Sequence, residues 1–224
     1  KNGRRTGLGI TGLGDALAMM NIRYGSEKSI EVTEEIYKWL ALNSYESSIQ
    51  LAIERGAFPC WNLKKEKDHV FLNQIMQELL PERQEDYKHY GRRNIANTTT
   101  APAGSVSVLT QTTSGIEPAF MLHYTRRKKI NPNDKKATVD FVDTNGDKWT
   151  EFTVYHHKFN EWMNSIHAPD VPENFETEHL IEHSPYFMST ANDINWVNKV
   201  KMQASAQRWI CHAISNTTNL PADT

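Results

Sequence analysis

The chain contains 224 residues, and its 25 Lys and Arg residues nearly balance its 27 Asp and Glu residues. This length allows one large domain or two small ones, and the formal charge of −2 argues against a nucleic-acid-binding protein. Hydrophobic residues make up only 38% of the chain, so we expect part of its apolar surface to contact other segments. The sequence has no apolar signal-peptide core and no run of about 18 apolar residues, which favours a cytoplasmic protein that does not enter a membrane.

The first part of the chain is predicted to be helical. Residues 8–21 are mostly small and apolar, and we interpret them as a close-packed helix despite their glycines. A long helix is predicted over 27–55, with Ser26 as its N-cap and Gly56 at its end. Four apolar residues recur at the spacing of one face of this helix, namely Val32, Ile36, Trp39 and Leu40. A further helix is predicted over 66–80, ending before the proline that follows.

The second part of the chain mixes strands and helices. Threonine-rich residues 94–100 predict a strand, with short helices from 104 onward. Two segments of alternating polarity, joined by an Asn-Gly turn, predict a β-hairpin over 138–154. The remaining predicted elements are helices over 155–166, 173–183 and 193–212 and a strand over 214–220. Asp193 is the predicted cap of the last helix, whose apolar face consists of Met202, Ala206, Trp209, Ile210 and Ala213. This order of elements predicts an α/β fold.

The segment with the clearest chemical content covers residues 94–107 and reads Asn-Ile-Ala-Asn-Thr-Thr-Thr-Ala-Pro-Ala-Gly-Ser-Val-Ser. A strand, a Pro/Gly turn and a helix start direct backbone N–H groups towards one point, as in a phosphate-binding loop without a lysine. Pro102 fixes the backbone, Gly104 permits close approach of a ligand, and Ser105 and Ser107 add hydroxyl groups. Such clusters are also common in ordinary loops, so the residues alone leave both interpretations open.

Three other patterns suggest sites but favour structural interpretations. Residues 7–12 match the dinucleotide-binding Gly-x-Gly-x-x-Gly motif, but no hydrophobic strand is predicted before them, so a close-packed helix is preferred. His179, Glu182 and His183 fit a zinc-binding pattern, but no third ligand follows, so a solvated surface helix is preferred and no metal site is predicted. The basic run at 126–129 could contact an anion or nucleotide, although a solvated face is the preferred interpretation.

The cysteines and the ends of the chain carry two further expectations. Cys60 and Cys211 lack the spacing of metal ligands, and we interpret them as reduced thiols. The chain begins without methionine and ends directly after a strand-like run. We therefore expect residues 1–224 to be a single fragment of a longer polypeptide.

Five segments, in the same order, resemble the large catalytic subunit of ribonucleotide reductases. They are residues 4–17, 91–94, 101–107, 114–118 and 213–221. The sequences Thr-Thr-Ala-Pro-Ala-Gly-Ser-Val-Ser and Thr-Thr-Ser-Gly-Ile-Glu-Pro-Ala-Phe are most similar to those of the adenosylcobalamin-dependent class. The resemblance covers nearly the whole chain. It implies a partial ten-stranded α/β barrel, of which the chain holds roughly the second half, with an inserted β-hairpin near 138–154.

The resemblance implies that Pro102, Ala103, Gly104, Ser105 and Val106 bind the phosphates of a ribonucleoside di- or triphosphate. Enzymes of this family replace the ribose 2′-hydroxyl with hydrogen by thiyl-radical chemistry, and the implied cofactor is adenosylcobalamin. Their radical cysteine lies in an Asn-x-Cys-x-Glu loop, which these 224 residues do not contain. We therefore expect the chain to supply the phosphate loop but no catalytic residue, and to be inactive alone. The implied partners are the remainder of the catalytic subunit, a thioredoxin-type reductant and a second copy in a homodimer.

Two rival functions are compatible with the sequence. A non-catalytic nucleotide- or anion-binding module would retain the phosphate loop and lack the radical chemistry, which would account for the missing Asn-x-Cys-x-Glu loop. A zinc hydrolase, the weaker of the two rivals, would use His179, Glu182 and His183 as its metal-binding and catalytic groups.

Overall fold

A computed structural model of the chain describes residues 2–131, 137–166 and 177–220. Its helices are α1 (Leu13–Met19), α2 (Glu27–Arg55), α3 (Leu63–Glu66), α4 (Val70–Glu78), α5 (Pro81–Tyr90), α6 (Gly104–Thr110), α7 (His157–Ile166), α8 (Thr177–Glu182) and α9 (Trp196–Gln207). Its strands are β1 (His123–Lys129), β2 (Phe141–Val142) and β3 (Lys148–Tyr155). Helices and strands occur together, as the predicted α/β class requires.

Helix α2 is the longest element, and its predicted bounds of 27–55 are confirmed. Ser26 caps the N-terminus by accepting a hydrogen bond from the Ser29 N–H group. Gly56 ends the helix with a φ of 76°, and its N–H group donates to the Ala52 carbonyl at 2.8 Å. The caps therefore set both ends of a helix about 43 Å long.

The apolar face predicted for α2 is not the face that enters the core. Trp39 is 57% exposed, and the other three apolar residues of that face are only partly buried. The face that packs into the core carries residues spaced by four, and they are Thr33, Tyr37, Ala41, Tyr45 and Ile49. Tyrosine is accommodated there because the Tyr37 hydroxyl forms a buried 3.0 Å hydrogen bond with Thr100 Oγ1. Small residues between the rings leave room for α9, α5 and α4, which pack against α2.

Three extended segments lie side by side in parallel beneath α2. They are residues 6–8, 96–100 and 212–215. Isolated bridges join Leu8 to Thr98 and Thr100 to Ile214, and backbone hydrogen bonds of 2.8–3.1 Å accompany them. The strands predicted over 94–100 and 214–220 are therefore short paired segments rather than continuous ladders. Within the described residues, these segments do not close into a barrel.

The helix predicted over 8–21 is wrong in its first part, because α1 begins only at Leu13. Residues 6–8 are instead extended and pair with 96–100, but the bridge at Leu8 lies inside the glycine motif, and no strand precedes the motif in the described residues. A Cβ atom at Gly9 would lie 2.3 Å from the Thr99 carbonyl oxygen, so only glycine permits this approach. The glycine-rich sequence thus serves close backbone packing.

The predicted β-hairpin over 138–154 is confirmed and forms part of a larger antiparallel sheet with the strand order β1-β3-β2. At its turn, the Asp143 carboxylate accepts hydrogen bonds from the N–H groups of Asn145 and Asp147, and Gly146 has a φ of 81°. Strand β1 was not predicted, because its Arg-Arg-Lys-Lys sequence is entirely polar. Both faces of this strand are largely exposed, which agrees with the preferred interpretation of the basic run as solvated.

Several helix bounds differ from the prediction. The helix predicted over 66–80 is divided into α3 and α4, and α5 begins directly at Pro81, a favourable first helical position. Helix α7 matches the prediction closely, whereas residues 173–176 of the next predicted helix lie outside the described residues. Helix α9 is shorter than predicted and is capped by Asn195, while Asp193 accepts hydrogen bonds from Thr190.

The hydrophobic core consists of two clusters. The larger one joins α2, α4 and α9, and it includes four of the five predicted apolar residues of α9, while Ala213 is exposed. The smaller cluster joins α7 and α8 to the loop before β1, and its members are Ala18, Ala119, Leu122, Phe159, Met163, Leu180 and Tyr186. In the part of the chain that the structure describes, no helix has the length and apolar character needed to cross a bilayer.

Candidate phosphate-binding site

The candidate loop lies where the central extended segment ends. Residues 96–100 lead directly into residues 101–103, which are followed by α6. Since the three extended segments run in parallel, their carboxyl ends at Leu8, Thr100 and Ser215 meet at one edge. In α/β proteins this edge is the usual position of a ligand site.

The start of α6 presents backbone donors to solvent. No side chain caps this helix, and its first backbone bond runs from the Ser107 N–H to the Ala103 carbonyl at 2.7 Å. The N–H groups of Gly104, Ser105 and Val106 precede that bond and have no acceptor within the described part of the chain. All three residues are exposed. The geometry thus leaves three N–H groups that could donate hydrogen bonds to an anion.

Two polar groups of the predicted loop are bound within the protein and do not face a ligand. The Ala103 N–H group already donates to Ser114 Oγ at 2.9 Å, so this amide holds the loop rather than facing solvent. The Ser107 hydroxyl is directed inward and donates to the Gly104 carbonyl at 2.9 Å. Ser105 therefore carries the exposed hydroxyl of the loop. Ser114 belongs to the second motif noted in the sequence, and its bond to Ala103 explains why the two motifs occur together.

The segment that carries Ser114 is fixed to α1 through Asp15. The Asp15 carboxylate, which is buried, accepts hydrogen bonds from the Thr113 N–H and the Tyr186 hydroxyl, each at 2.7 Å. The oxygen that accepts the bond from Tyr186, Oδ1 of Asp15, also lies 2.7 Å from Nε2 of His156. Burial acts against the charged carboxylate, but the hydrogen bonds from His156 and Tyr186 outweigh it and hold the pKa of Asp15 below its usual range. This carboxylate therefore joins three distant parts of the chain.

A second buried ionic group fixes the other end of the segment. Lys199, whose side chain is 3% exposed, forms a 2.7 Å ion pair with Glu117 and also donates to the Thr217 carbonyl. The Thr217 N–H group donates to the other Glu117 oxygen at 2.6 Å. Residues 113–118 are thus connected to α9 and to the last extended segment. A cleft of about 370 Å³ lies beside these groups, bordered by Ser114, Glu117, His156 and Lys199.

The other sequence-predicted residues lie apart from this loop. Cys60 is exposed, whereas Cys211 is partly buried beneath the parallel segments. Burial raises the pKa of the Cys211 thiol, but hydrogen bonds from Thr98 and the Asn97 N–H outweigh it and lower the pKa. Both cysteines are free, as expected. His179, Glu182 and His183 form a separate exposed cluster at the end of α8.

These features define an α/β protein whose candidate site lies at the carboxyl edge of parallel extended segments. A family model described as the barrel domain of ribonucleotide reductase matches residues 1–224. The chain therefore belongs to the ribonucleotide reductase barrel-domain family, and the resemblance identified in the sequence is confirmed.

Relatives of the chain are also named as ribonucleotide reductases. Vitamin B12-dependent ribonucleoside-diphosphate reductases from Thermoplasma acidophilum and Mycobacterium tuberculosis are 28% and 27% identical to the chain, each over 98% of it. These matches cover 25% and 27% of the relatives, so the chain spans about a quarter of their length. The ribonucleoside-diphosphate reductase subunit alpha of Treponema pallidum is 25% identical over 56% of the chain and 15% of its own length.

Proposed function

We propose that the chain is one fragment, residues 1–224, of the catalytic barrel of a cytoplasmic, cobalamin-dependent ribonucleotide reductase. In this proposal its parallel segments supply part of a ten-stranded barrel whose other strands belong to the remainder of the catalytic subunit. The relatives named as vitamin B12-dependent favour the cobalamin class, and they match the chain over nearly its full length. The whole protein would convert ribonucleotides to 2′-deoxyribonucleotides with a thioredoxin-type reductant, as a homodimer.

The role proposed for this chain is to bind the phosphates of the substrate. The observation that carries it is the exposed row of N–H groups at Gly104, Ser105 and Val106, together with the hydroxyl of Ser105. Pro102 and Ala103 position this row, since the Ala103 amide is bound to Ser114. Backbone N–H groups at a helix start favour a negatively charged group by about 0.3–1 kcal/mol through the helix dipole, in addition to their direct hydrogen bonds.

Adenosylcobalamin would supply the radical in the whole enzyme. We assign no residue of the described chain to this cofactor, because the 370 Å³ cleft and the loop contain no group specific to it. What the chain's own residues do is bind and orient the phosphate end of the nucleotide. Orientation matters because a reaction at the ribose requires the sugar to be held in a fixed position.

Gly104 provides the sharpest test of the loop. A Cβ atom at this position would meet nothing within 4 Å, so the fold itself does not require glycine there. We expect Gly104→Trp in the complete protein to raise the KM for ADP at least about tenfold, because the ring would cover the N–H groups and the loss of one phosphate interaction is of order 1.4 kcal/mol. Ser165→Trp, on the exposed surface of α7, is the matched control. An unchanged KM in Gly104→Trp would contradict the proposed phosphate site.

The class of enzyme is tested by reduction assays on the complete protein with and without adenosylcobalamin, beside calorimetry with ADP. Formation of deoxynucleotide only when the cofactor is present would support the proposal. Binding of ADP without reduction under any radical source would favour a non-catalytic nucleotide-binding module instead. Diphosphate and triphosphate substrates are distinguished in the same assay by their KM values.

A further inference from the structure

The exposed cluster at the end of α8 has the composition and geometry of a metal site. His179, Glu182 and His183 occupy positions i, i+3 and i+4, which place their side chains on one side of the helix. Each residue offers a ligand atom, and these atoms all lie within 4.8 Å of one another. The centroids of the two imidazole rings are 4.3 Å apart. The sequence offers no third ligand after the two histidines, but in the structure the Glu182 carboxylate lies close enough to both imidazoles to take that position.

The orientation of His183 adds a second, independent observation. Its Nδ1 atom lies 2.9 Å from the His179 carbonyl oxygen, which can only accept a hydrogen bond. Nδ1 must therefore carry the proton, which leaves the lone pair of Nε2 available as a ligand. Histidines that bind metals characteristically donate their other ring N–H to a carbonyl or carboxylate in this manner. The tautomer required for metal binding is thus fixed by the helix backbone.

We propose that His179, Glu182 and His183 bind Zn²⁺. Two imidazoles and one carboxylate are the ligand types that this ion takes, with one position left for water. Bond lengths of about 2.0–2.1 Å in a tetrahedral site separate ligand atoms by about 3.4 Å. Since the ligand atoms lie within 4.8 Å of one another, they must approach by at most about 1.4 Å, and exposed side chains can do this by changes in their rotamers.

The metal would stabilise α8, which has only six described residues. These six residues form fewer than two turns, and a metal bridge between residues i and i+4 fixes one full turn of them. The opposite side of this helix carries Leu180, which is buried in the smaller core cluster beside Phe159 and Tyr186. The ion would therefore hold the helix that covers this cluster. The three ligand residues are exposed, which suits a stabilising role better than hydrolysis of a substrate.

The experiment is a titration of the complete protein, prepared without cobalamin, with Co²⁺ and then Zn²⁺. Cobalt reports tetrahedral nitrogen and oxygen ligands through its visible absorption, and zinc should displace it. We expect one equivalent to bind, and we expect His179→Ala and His183→Ala each to weaken binding at least about tenfold. His89→Ala removes another exposed helical histidine, and Glu178→Gln removes a neighbouring exposed carboxylate. Both control variants should bind the metal ion with the same affinity as the protein without substitutions.

Hydrogen exchange of the amides of residues 179–184 measures the effect on the helix. Zinc at 100 times its Kd should slow exchange by about 100-fold where α8 opens locally, because only the folded helix presents the ligands together. Unchanged binding in both histidine variants would overturn the proposal, since the ion would then be bound elsewhere. Equal affinities in Glu182→Gln and Glu178→Gln would overturn the three-ligand site. A Kd weaker than about 1 mM, equivalent to about 4 kcal/mol, would overturn it as well.

Discussion

Replacement of Asp15 by alanine tests the structure that holds the candidate loop. The carboxylate is bound by the Thr113 N–H, the Tyr186 hydroxyl and His156, all at 2.7 Å, and Asp15 is only 2% exposed. Asp15→Ala removes the common acceptor of all three groups in a site that water enters poorly. Each group would then need a new partner or remain unsatisfied.

The magnitude follows from these contacts. A hydrogen bond to a charged group stabilises a protein by about 1.5–3 kcal/mol, but bonds that share one carboxylate are not additive. Each buried donor left without an acceptor costs about 1–3 kcal/mol, and we expect a total of about 3 kcal/mol for Asp15→Ala. Asp15→Asn retains the volume and one acceptor oxygen, so its effect should be about 2 kcal/mol.

Hydrogen exchange of the segment around Thr113 in the complete protein is the appropriate assay, because it measures local opening. A change of about 3 kcal/mol corresponds to exchange that is faster by roughly 10²-fold. Asp68→Ala, at an exposed position, is the control and should change stability by less than about 0.5 kcal/mol. If Asp15→Ala exchanged no faster than Asp68→Ala, the proposed importance of this buried carboxylate would be refuted.

The same carboxylate makes a prediction about pH. Since the pKa of Asp15 is lowered in the folded state, its contribution is fully present above the unfolded value of about 3.9. The contribution is lost as the pH falls through the lower folded value. The difference in stability between the unchanged protein and Asp15→Ala should therefore be constant near neutral pH and decrease below about pH 4.

Three further predictions concern other parts of the fold. Gly9→Ala should destabilise by at least about 3 kcal/mol in denaturant unfolding, because the new Cβ would lie 2.3 Å from the Thr99 carbonyl oxygen. Burial raises the pKa of Tyr37 to about 12, so its neutral phenol contributes stability that is present below about pH 10 and lost as the pH rises through 12. Tyr37→Phe lacks this titrating group, so its free energy of unfolding should fall by about 2.7 kcal/mol less between about pH 10 and pH 12 than that of the unsubstituted protein. Lys199→Met should destabilise by roughly 3 kcal/mol, and Lys199→Met combined with Glu117→Gln should recover part of this loss in a double-mutant cycle.

Each of these predictions has a matched control in the same chain. Gly104→Ala introduces a Cβ atom into open space and should leave stability unchanged or slightly higher. Tyr90→Phe removes the hydroxyl of an exposed tyrosine and should change stability by less than about 0.5 kcal/mol. Lys201→Met, on the exposed side of α9, should have little effect. If a variant and its control behaved alike, the corresponding contact would not have the importance assigned to it.

The sequence predicts elements well where the determining contacts are local. The ends of α2 were predicted because Ser26 and Gly56 satisfy the groups at its termini, which requires only neighbouring residues. The hairpin was predicted because an Asn-Gly pair adopts its turn with little help from the rest of the chain. The five residues of the phosphate loop were instead implied by the family resemblance, and they lie just before α6 and in its first turn.

Prediction failed where the partner lies far along the chain. The helix predicted from residue 8 fails at its start, because Leu8 pairs with a segment about 90 residues away. The face of α2 that enters the core was not predicted, because tyrosine becomes a core residue only when its hydroxyl finds a partner such as Thr100. The acidic residue at position 15 gave no signal in the sequence, since its partners at 156 and 186 meet it only in the folded chain.

The two buried ionic groups have a common consequence for the candidate site. Asp15 fixes the Thr113 end of the short segment 113–118, and Glu117 fixes its other end through Lys199. Ser114 lies between these two fixed points and holds the Ala103 amide, so the loop rests on a segment whose position is set from both sides. Site precision depends on such supporting contacts as much as on the residues that touch a ligand. Ser114→Ala should therefore raise the KM for nucleotide without unfolding the protein. Asp15→Ala and Lys199→Met should raise this KM and also lower the free energy of unfolding.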